Sequence, residues 1–333
     1  MKKLLFSLLA AATLITSCSE KFETAAPYKD ITLVYGFLDV TDTAHYIRIQ
    51  KAFLDETKSA VVMAKEVDSS FFKDISVRIE RYRAVKIGGK NLYVDSFHID
   101  RVNMDNEGYP KQPGTFFNSP NYAYKFTDRL DSQYVYRLKI THLSTGKVDS
   151  ADAPILPTAK NLFTVYVIDD DLVNIDGMEF SSTAAGRNYT FNCRYVPIPN
   201  YNYNDEANPA RLSQAIIRFN WDDSDINTKL RTPRHYDYDA GYVAVPTNTT
   251  SFDYKIPTQE LFNAISTGMG TAPANIIRLI DRVNISVYVT TSDYANYRNA
   301  ILIRGNGLTG SEISALYTNI KGENALGLFT SRV

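Results

Sequence analysis

Apolar and polar residues alternate with a period of two along much of this chain. Tyr46-Ile47-Arg48-Ile49-Gln50, Ile75-Ser76-Val77-Arg78-Ile79-Glu80 and Tyr134-Val135-Tyr136-Arg137-Leu138-Lys139-Ile140 each put every second side chain on one face. That is the pattern of a half-buried strand. Ile31-Thr32-Leu33-Val34-Tyr35-Gly36-Phe37-Leu38 opens the folded part as another strand. Gly88-Gly89, between residues 82–87 and 92–97, reads as a hairpin turn. Ser144-Thr145-Gly146-Lys147 reads as a second turn. About five to seven short strands before Ile155 predict a sandwich of immunoglobulin-like type. Residues 56–72 break the alternation and fit a loop or a short helix.

Pro154 and Pro157 interrupt the pattern inside Ala-Pro-Ile-Leu-Pro-Thr, which places a domain boundary there. A second set of strands follows at residues 162–168, 189–196, 215–221, 242–245 and 283–290. Two helices are expected among them. TQELFNAIS begins at Thr258, a candidate N-cap after Pro257, and SDYANYRNAI begins at Ser292, a second candidate N-cap. The 333 residues exceed what one core usually organises. The expected architecture is mostly β: an immunoglobulin-like β-sandwich over residues 28–156 and a β-rich sandwich domain over 157–333 with one or two short helices.

The N-terminus follows a different logic. Lys2 and Lys3 precede an uncharged stretch, residues 4–15, rich in Leu and Ala. It is too short to span a bilayer, which takes ~20 apolar residues, and it fits the apolar region of a secretory signal. Ile15-Thr16-Ser17-Cys18 is a bacterial lipobox. In that chemistry the Cys18 thiol receives a diacylglycerol, the chain is cut before it, and the new amino group is often acylated. Each buried methylene contributes roughly 0.8 kcal/mol, so two or three chains hold a protein firmly on a membrane. Residues 1–17 are therefore read as a lipoprotein signal peptide and 18–27 as a lipid-anchored tether.

Charge narrows the partners. There are 36 basic and 37 acidic residues, evenly spread, for a net charge of −1. Without a cluster of Lys and Arg, nucleic acid is not an expected partner. Of the two cysteines, Cys18 is the lipidation site, which leaves Cys193 without a disulfide partner in the chain. Its strand-like setting, YTFNCRYV, predicts a buried, inert thiol.

Other motifs carry less. Gly305-Asn306-Gly307-Leu308-Thr309-Gly310 matches GxGxxG, but a dinucleotide site also needs a preceding strand in a parallel sheet and an acid about 20 residues on. A loop accounts for it better. Two acidic runs are calcium candidates: Asp169 and Asp171 in one, and Asp222, Asp223 and Asp225 in the other. Neither has EF-hand spacing, and Asp is common in turns at strand ends. No other cofactor is expected. The four histidines, His45, His98, His142 and His235, show no zinc signature, and no GxSxG occurs. No catalytic motif supports an enzyme. Tyrosine is abundant, with 23 residues against one tryptophan. Tyr195, Tyr201, Tyr203, Tyr236, Tyr238 and Tyr242 are the candidate ligand contacts, because tyrosine offers rigid amphipathic area. Ordinary edge-strand and turn packing is the alternative for them.

The order of several segments is familiar. ITLVYGFL follows the lipobox, then YVYRLKITH leads through Gly146 to SADAPILP, and YTNIKGENALGLF stands near the end. This order resembles an uncharacterised Bacteroidota outer-membrane lipoprotein family, a domain of unknown function often encoded beside TonB-dependent transporters. Glu20 and Glu23, just after Cys18, are similar to the acidic residues that surface-bound Bacteroidota lipoproteins carry there. The resemblance implies a β-rich lipoprotein of the outer membrane, on the cell surface or, alternatively, facing the periplasm. It also implies an accessory role to a TonB-dependent transporter. Two further classes stay open: a fimbrillin-like adhesin or pilus component, and a surface hydrolase.

Overall fold

The computed structural model describes residues 31–52, 59–87, 89–115, 117–156, 163–169, 172–174, 188–195, 210–245, 251–305 and 317–333. The protein is mostly β. The first half contributes β1 (Ile31–Asp39), β2 (Ala44–Ala52), β3 (Ile75–Ile87), β4 (Lys90–His98), β5 (Asp100–Asn103), β6 (Tyr122–Thr127), β7 (Tyr134–His142) and β8 (Val148–Pro154). Two one-turn helices, α1 (Ala60–Met63) and α2 (Val67–Ser70), fill the segment where the alternation fails. The second half contributes β9 (Phe163–Asp169), β10 (Leu172–Asn174), β11 (Asn188–Tyr195), β12 (Ala210–Asp225), β13 (Arg231–Ala244) and β14 (Ser251–Pro257). Then come α3 (Thr258–Met269), β15 (Ile276–Thr291), α4 (Ser292–Gly305) and β16 (Ala325–Arg332).

The strands form one eight-stranded sheet, ordered β13-β12-β15-β16-β1-β2-β6-β5, and two four-stranded sheets, β4-β3-β7-β8 and β10-β9-β11-β14. Alternation decides which side of the large sheet is buried. On β1, Val34 and Leu38 are fully buried while Tyr35 and Phe37 point the other way. The first small sheet packs on the buried side, and Val77, Ile79, Tyr136, Leu138 and Ile140 meet Val34, Ile47, Ile49 and Phe329 in one core. The second small sheet supplies Phe191, Cys193, Tyr254 and Ile256 to another core with Ala215, Ile217 and Val289. Each large side chain buried this way stabilises the fold by roughly 1.5–3 kcal/mol.

The junction between the cores falls within one dipeptide. Ile155 belongs to the first core and Leu156 to the second, inside the Pro154–Pro157 interruption. The last strand, however, does not stay with the second set. β16 runs parallel to β1, with Thr32 opposite Ala325 and Asp39 opposite Arg332, and reaches β15 at Thr290. Phe329 enters the first core and Val333 the second. Ser331 Oγ donates to the Pro154 carbonyl at 2.6 Å, and the Arg332 guanidinium donates to Asp39 Oδ2 at 2.8 Å. Close approach of β1 and β16 depends on Gly327, whose φ is 124°. A Cβ there would run into the Val34 carbonyl.

Pro257 occupies the cap position of α3, and Thr258 is its first helical residue. Leu261 anchors this helix in the second core. Helix α4 starts at Ser292 as expected but continues to Gly305.

Candidate functional site

The outward side of the large sheet carries the site. Strands of this kind normally turn polar residues to solvent. Here β1 turns out Tyr35 and Phe37, which are 39% and 36% exposed. On β2, Ala44, Tyr46 and Arg48 point the same way, between the buried His45, Ile47 and Ile49. Sheet register sets Tyr35 opposite Arg48 on one side and opposite Leu328 on the other. These residues, with Met104 beyond β5, Ala123 on β6, His45 and the rim residue Asp42, line a cleft of about 300 Å³.

Two walls hold the aromatic rings. On one side α4 lies across the sheet, with Tyr294 meeting Phe37 edge-on at 5.5 Å between ring centres. Tyr297 lies near Tyr35, and burial, followed by the influence of the Tyr35 hydroxyl, pushes its own hydroxyl above the usual range. On the other side Tyr109 stands edge-on to Tyr46 at 5.7 Å. The Tyr46 hydroxyl donates to Glu107 Oε2 at 2.9 Å, and Lys125 donates to the same carboxylate. The Lys125 and Tyr46 hydrogen bonds hold the Glu107 carboxyl below its ordinary range. His45 Nε2 is 3.1 Å from the Asp128 carbonyl.

Arg48 differs from its neighbours. It is half-buried in the cleft, and among the described residues it makes no ion pair or hydrogen bond. Burial alone lowers its guanidinium below the usual value, with no carboxylate to offset it. Lys111 lies close enough for the Arg48 charge, after burial, to depress its ammonium.

Of the six tyrosines expected as ligand contacts, the three whose side chains are described, Tyr236, Tyr238 and Tyr242, do not share one site. Tyr242 joins the aromatic run beside the cleft: its hydroxyl is 3.2 Å from that of Tyr294, and the Arg298 guanidinium stacks over its ring at 3.8 Å. Tyr236 packs on the second core, against Gly268 of α3. Tyr238 is buried there and donates to Glu260 Oε1 at 3.1 Å. Burial, then that hydrogen bond, pushes its hydroxyl up to about 12. Tyr195 closes β11; its side chain, Tyr201 and Tyr203 lie outside the described residues. The residues that do line the cleft were hidden by their setting in strands. The available signal was the aromatic character of outward positions 35, 37 and 46.

Among the described residues the acidic runs do not gather into a metal site. Asp223 accepts from Arg278 at 3.3 Å and from the Trp221 indole at 3.0 Å. Asp225 caps a turn through the amides of Asn227 and Thr228, and these hold its carboxyl below the ordinary range. Asp222, between Trp221 and Asp223 on β12, alternates to the other face. Asp169 ends β9, while its side chain and Asp171 lie outside the described residues. Among the described residues no group of three or more His, Cys, Asp or Glu is assembled as a metal site. The first glycine of GxGxxG ends a helix, not the strand that a dinucleotide fingerprint requires. Residues 306–310 lie outside the description.

A larger cavity, about 520 Å³, lies at the end of the first sandwich beside His142. Its polar groups serve one another. His142 Nε2 is 2.9 Å from Asp149 Oδ2 and 3.3 Å from Thr32 Oγ1, and Lys147 pairs with Glu323 at 2.7 Å. A relay triad needs opposite ring nitrogens for acid and nucleophile. Here one nitrogen meets both, so the geometry is that of a structural clamp. Cys193 is fully buried, and burial pushes its thiol up to about 12. Cys18 lies outside the described residues, and no helix among the described residues is long and apolar enough to cross a membrane. No protein-family model matches the chain, and no curated protein matches it.

Proposed function

We propose that this chain is a lipid-anchored binding protein of the bacterial outer membrane, held through acylated Cys18, that contacts its ligand in the cleft above β1 and β2. The observation that carries this reading is the outward row of Tyr35, Phe37 and Tyr46 around Arg48. A sheet face built only for solvent has no use for three rings and a half-buried cation. The lipobox supplies the anchor, and the resemblance stated above supplies a role as accessory to a TonB-dependent transporter. The test is labelling with a palmitate analogue, followed by pull-down from gently solubilised outer membranes. Labelled wild type, unlabelled Cys18→Ala and a stoichiometric transporter are expected. Labelling of Cys18→Ala, or a bare lipoprotein in the pull-down, would overturn the anchor or the accessory role respectively.

The adhesin or pilus reading makes a different demand. Strand donation requires β1 to leave, and β1 sits between β16 and β2 with Val34 and Leu38 fully buried. Its removal would open a long apolar groove in the middle of the sheet. A native N-terminus mapped beyond residue 38, with a ladder of self-associated species, would favour that reading over the first.

A further inference from the structure

Below the exposed rim, where Asp42 stands, the cleft's polar side chains are committed except at Arg48. Tyr46 is tied to Glu107, Glu107 is neutralised by Lys125, and His45 faces a carbonyl. Among the described residues Arg48 has no such tie, although a guanidinium cannot shed its charge in a protein and a half-buried one is costly to leave unmatched. Its planar fork matches a carboxylate in bidentate fashion. Lys111 adds a nearby positive charge, and Asp42, exposed on the rim, subtracts one. A single guanidinium in the lining suits a monoanion better than a dianion. The remaining lining is flat and apolar: Tyr35 and Phe37 on β1, the Tyr46 ring on β2, and Met104. Edge contacts from Tyr294 and Tyr109 fix the orientation of Phe37 and Tyr46. About 300 Å³ lies at the small end of ligand sites, room for one ring.

We infer that the cleft takes a carboxylate carried on a six-membered ring, with the carboxylate on the Arg48 guanidinium and the ring face against Tyr35, Phe37 and Tyr46. This rests on the proposed binding role and names its ligand class. Both a sugar acid and an aromatic acid offer that chemistry, since aromatic side chains pack on C–H faces and on π-faces alike.

The experiment is isothermal titration of the purified lipoprotein with D-glucuronate and benzoate. Each acid is paired with a neutral counterpart, D-glucose or benzyl alcohol, and inorganic phosphate is run beside them. At least one acid should bind, with its neutral counterpart about tenfold weaker or more, the loss expected when a charge-assisted pair is missing. Arg48→Gln should erase that difference, Arg48→Lys should keep part of it, and Asp42→Asn should tighten the acid. Which acid binds identifies the ring. Equal binding of acid and neutral, unchanged in Arg48→Gln, would overturn the inference while leaving a binding cleft in place. Phosphate binding as tightly as the acids would also overturn it, because the ring would then contribute nothing. So would silence from every probe in a protein of wild-type circular dichroism, whereas the proposed role fails separately, on the Cys18 labelling and the pull-down.

Discussion

Gly327→Ala is the sharpest test of how the two halves are joined. Gly327 lies on β16 opposite Val34 of β1, with φ at 124°. An alanine there faces two costs. A non-glycine residue in that backbone region costs of order 1–3 kcal/mol. The new methyl also meets the Val34 carbonyl and its neighbouring backbone atoms rather than a yielding side chain, and overpacking adds typically about 1–3 kcal/mol. Alanine restricts the unfolded chain and returns roughly 0.4–1 kcal/mol. The net expectation is a loss of about 1–5 kcal/mol. Gly89→Ala is the control: its φ is 77°, but nothing lies within 4 Å of the added carbon, so it reports strain alone. Urea unfolding should be followed both by far-ultraviolet circular dichroism and by fluorescence of Trp221, which is 6% exposed and lies in the second half. Because β16 serves both cores, the two signals should move to lower urea together in Gly327→Ala. If it loses no more stability than Gly89→Ala, the close β1–β16 pairing is not the structural joint described above.

Two further predictions follow from buried groups. Burial opposes ionisation of Asp39, but hydrogen bonds from the Thr41 hydroxyl and amide and from Arg332 outweigh it and hold the carboxyl below its ordinary value. A depressed carboxylate stabilises the fold above its unfolded pKa, near ~3.9, and that contribution fades as pH falls through the folded value. Asp39→Asn should therefore cost about 1–3 kcal/mol at neutral pH and flatten the acid limb of the stability curve below about pH 4; an unchanged acid limb would refute the link. Cys193 should resist a thiol reagent in the native protein and react on denaturation, since its thiol is fully buried and pushed up to about 12; rapid native labelling there would contradict the second core.

Much of the architecture was legible because half-buried strands write their burial into the sequence. The segments around Ile47, Ile79 and Leu138 alternate cleanly, and each is a strand with those residues inside. β16 was not legible as a strand. ALGLFTSR is covered on both faces, by the core below and by α4 above, so no period of two survives. β13 failed for the opposite reason. It is the sheet's outer edge, carries Pro233 and a row of charges, and is largely exposed, so only its end, from Tyr242, read as a strand. The cleft was beyond linear reading. Its lining comes from β1, β2, β6 and the segment after β5, with α4 packed against one side, and only sheet register sets Tyr35 beside Arg48. Aromatic residues at outward strand positions were the one trace of it in the sequence, and any strand has some.

The parallel pairing of β1 with β16 also sets an order of events. Asp39 and Arg332 lie opposite one another across a sequence separation of 293 residues. Chains are made N-terminus first, so β1 waits, with one edge unpaired and Val34 and Leu38 partly uncovered, until nearly everything else has emerged. Such distant closure is slow, and an open strand edge in the meantime invites pairing with the wrong chain. The first sandwich is therefore first to be synthesised and among the last to be finished. A chain cut short before residue 325 would carry nearly all of its strands and still expose the seam where its halves should meet.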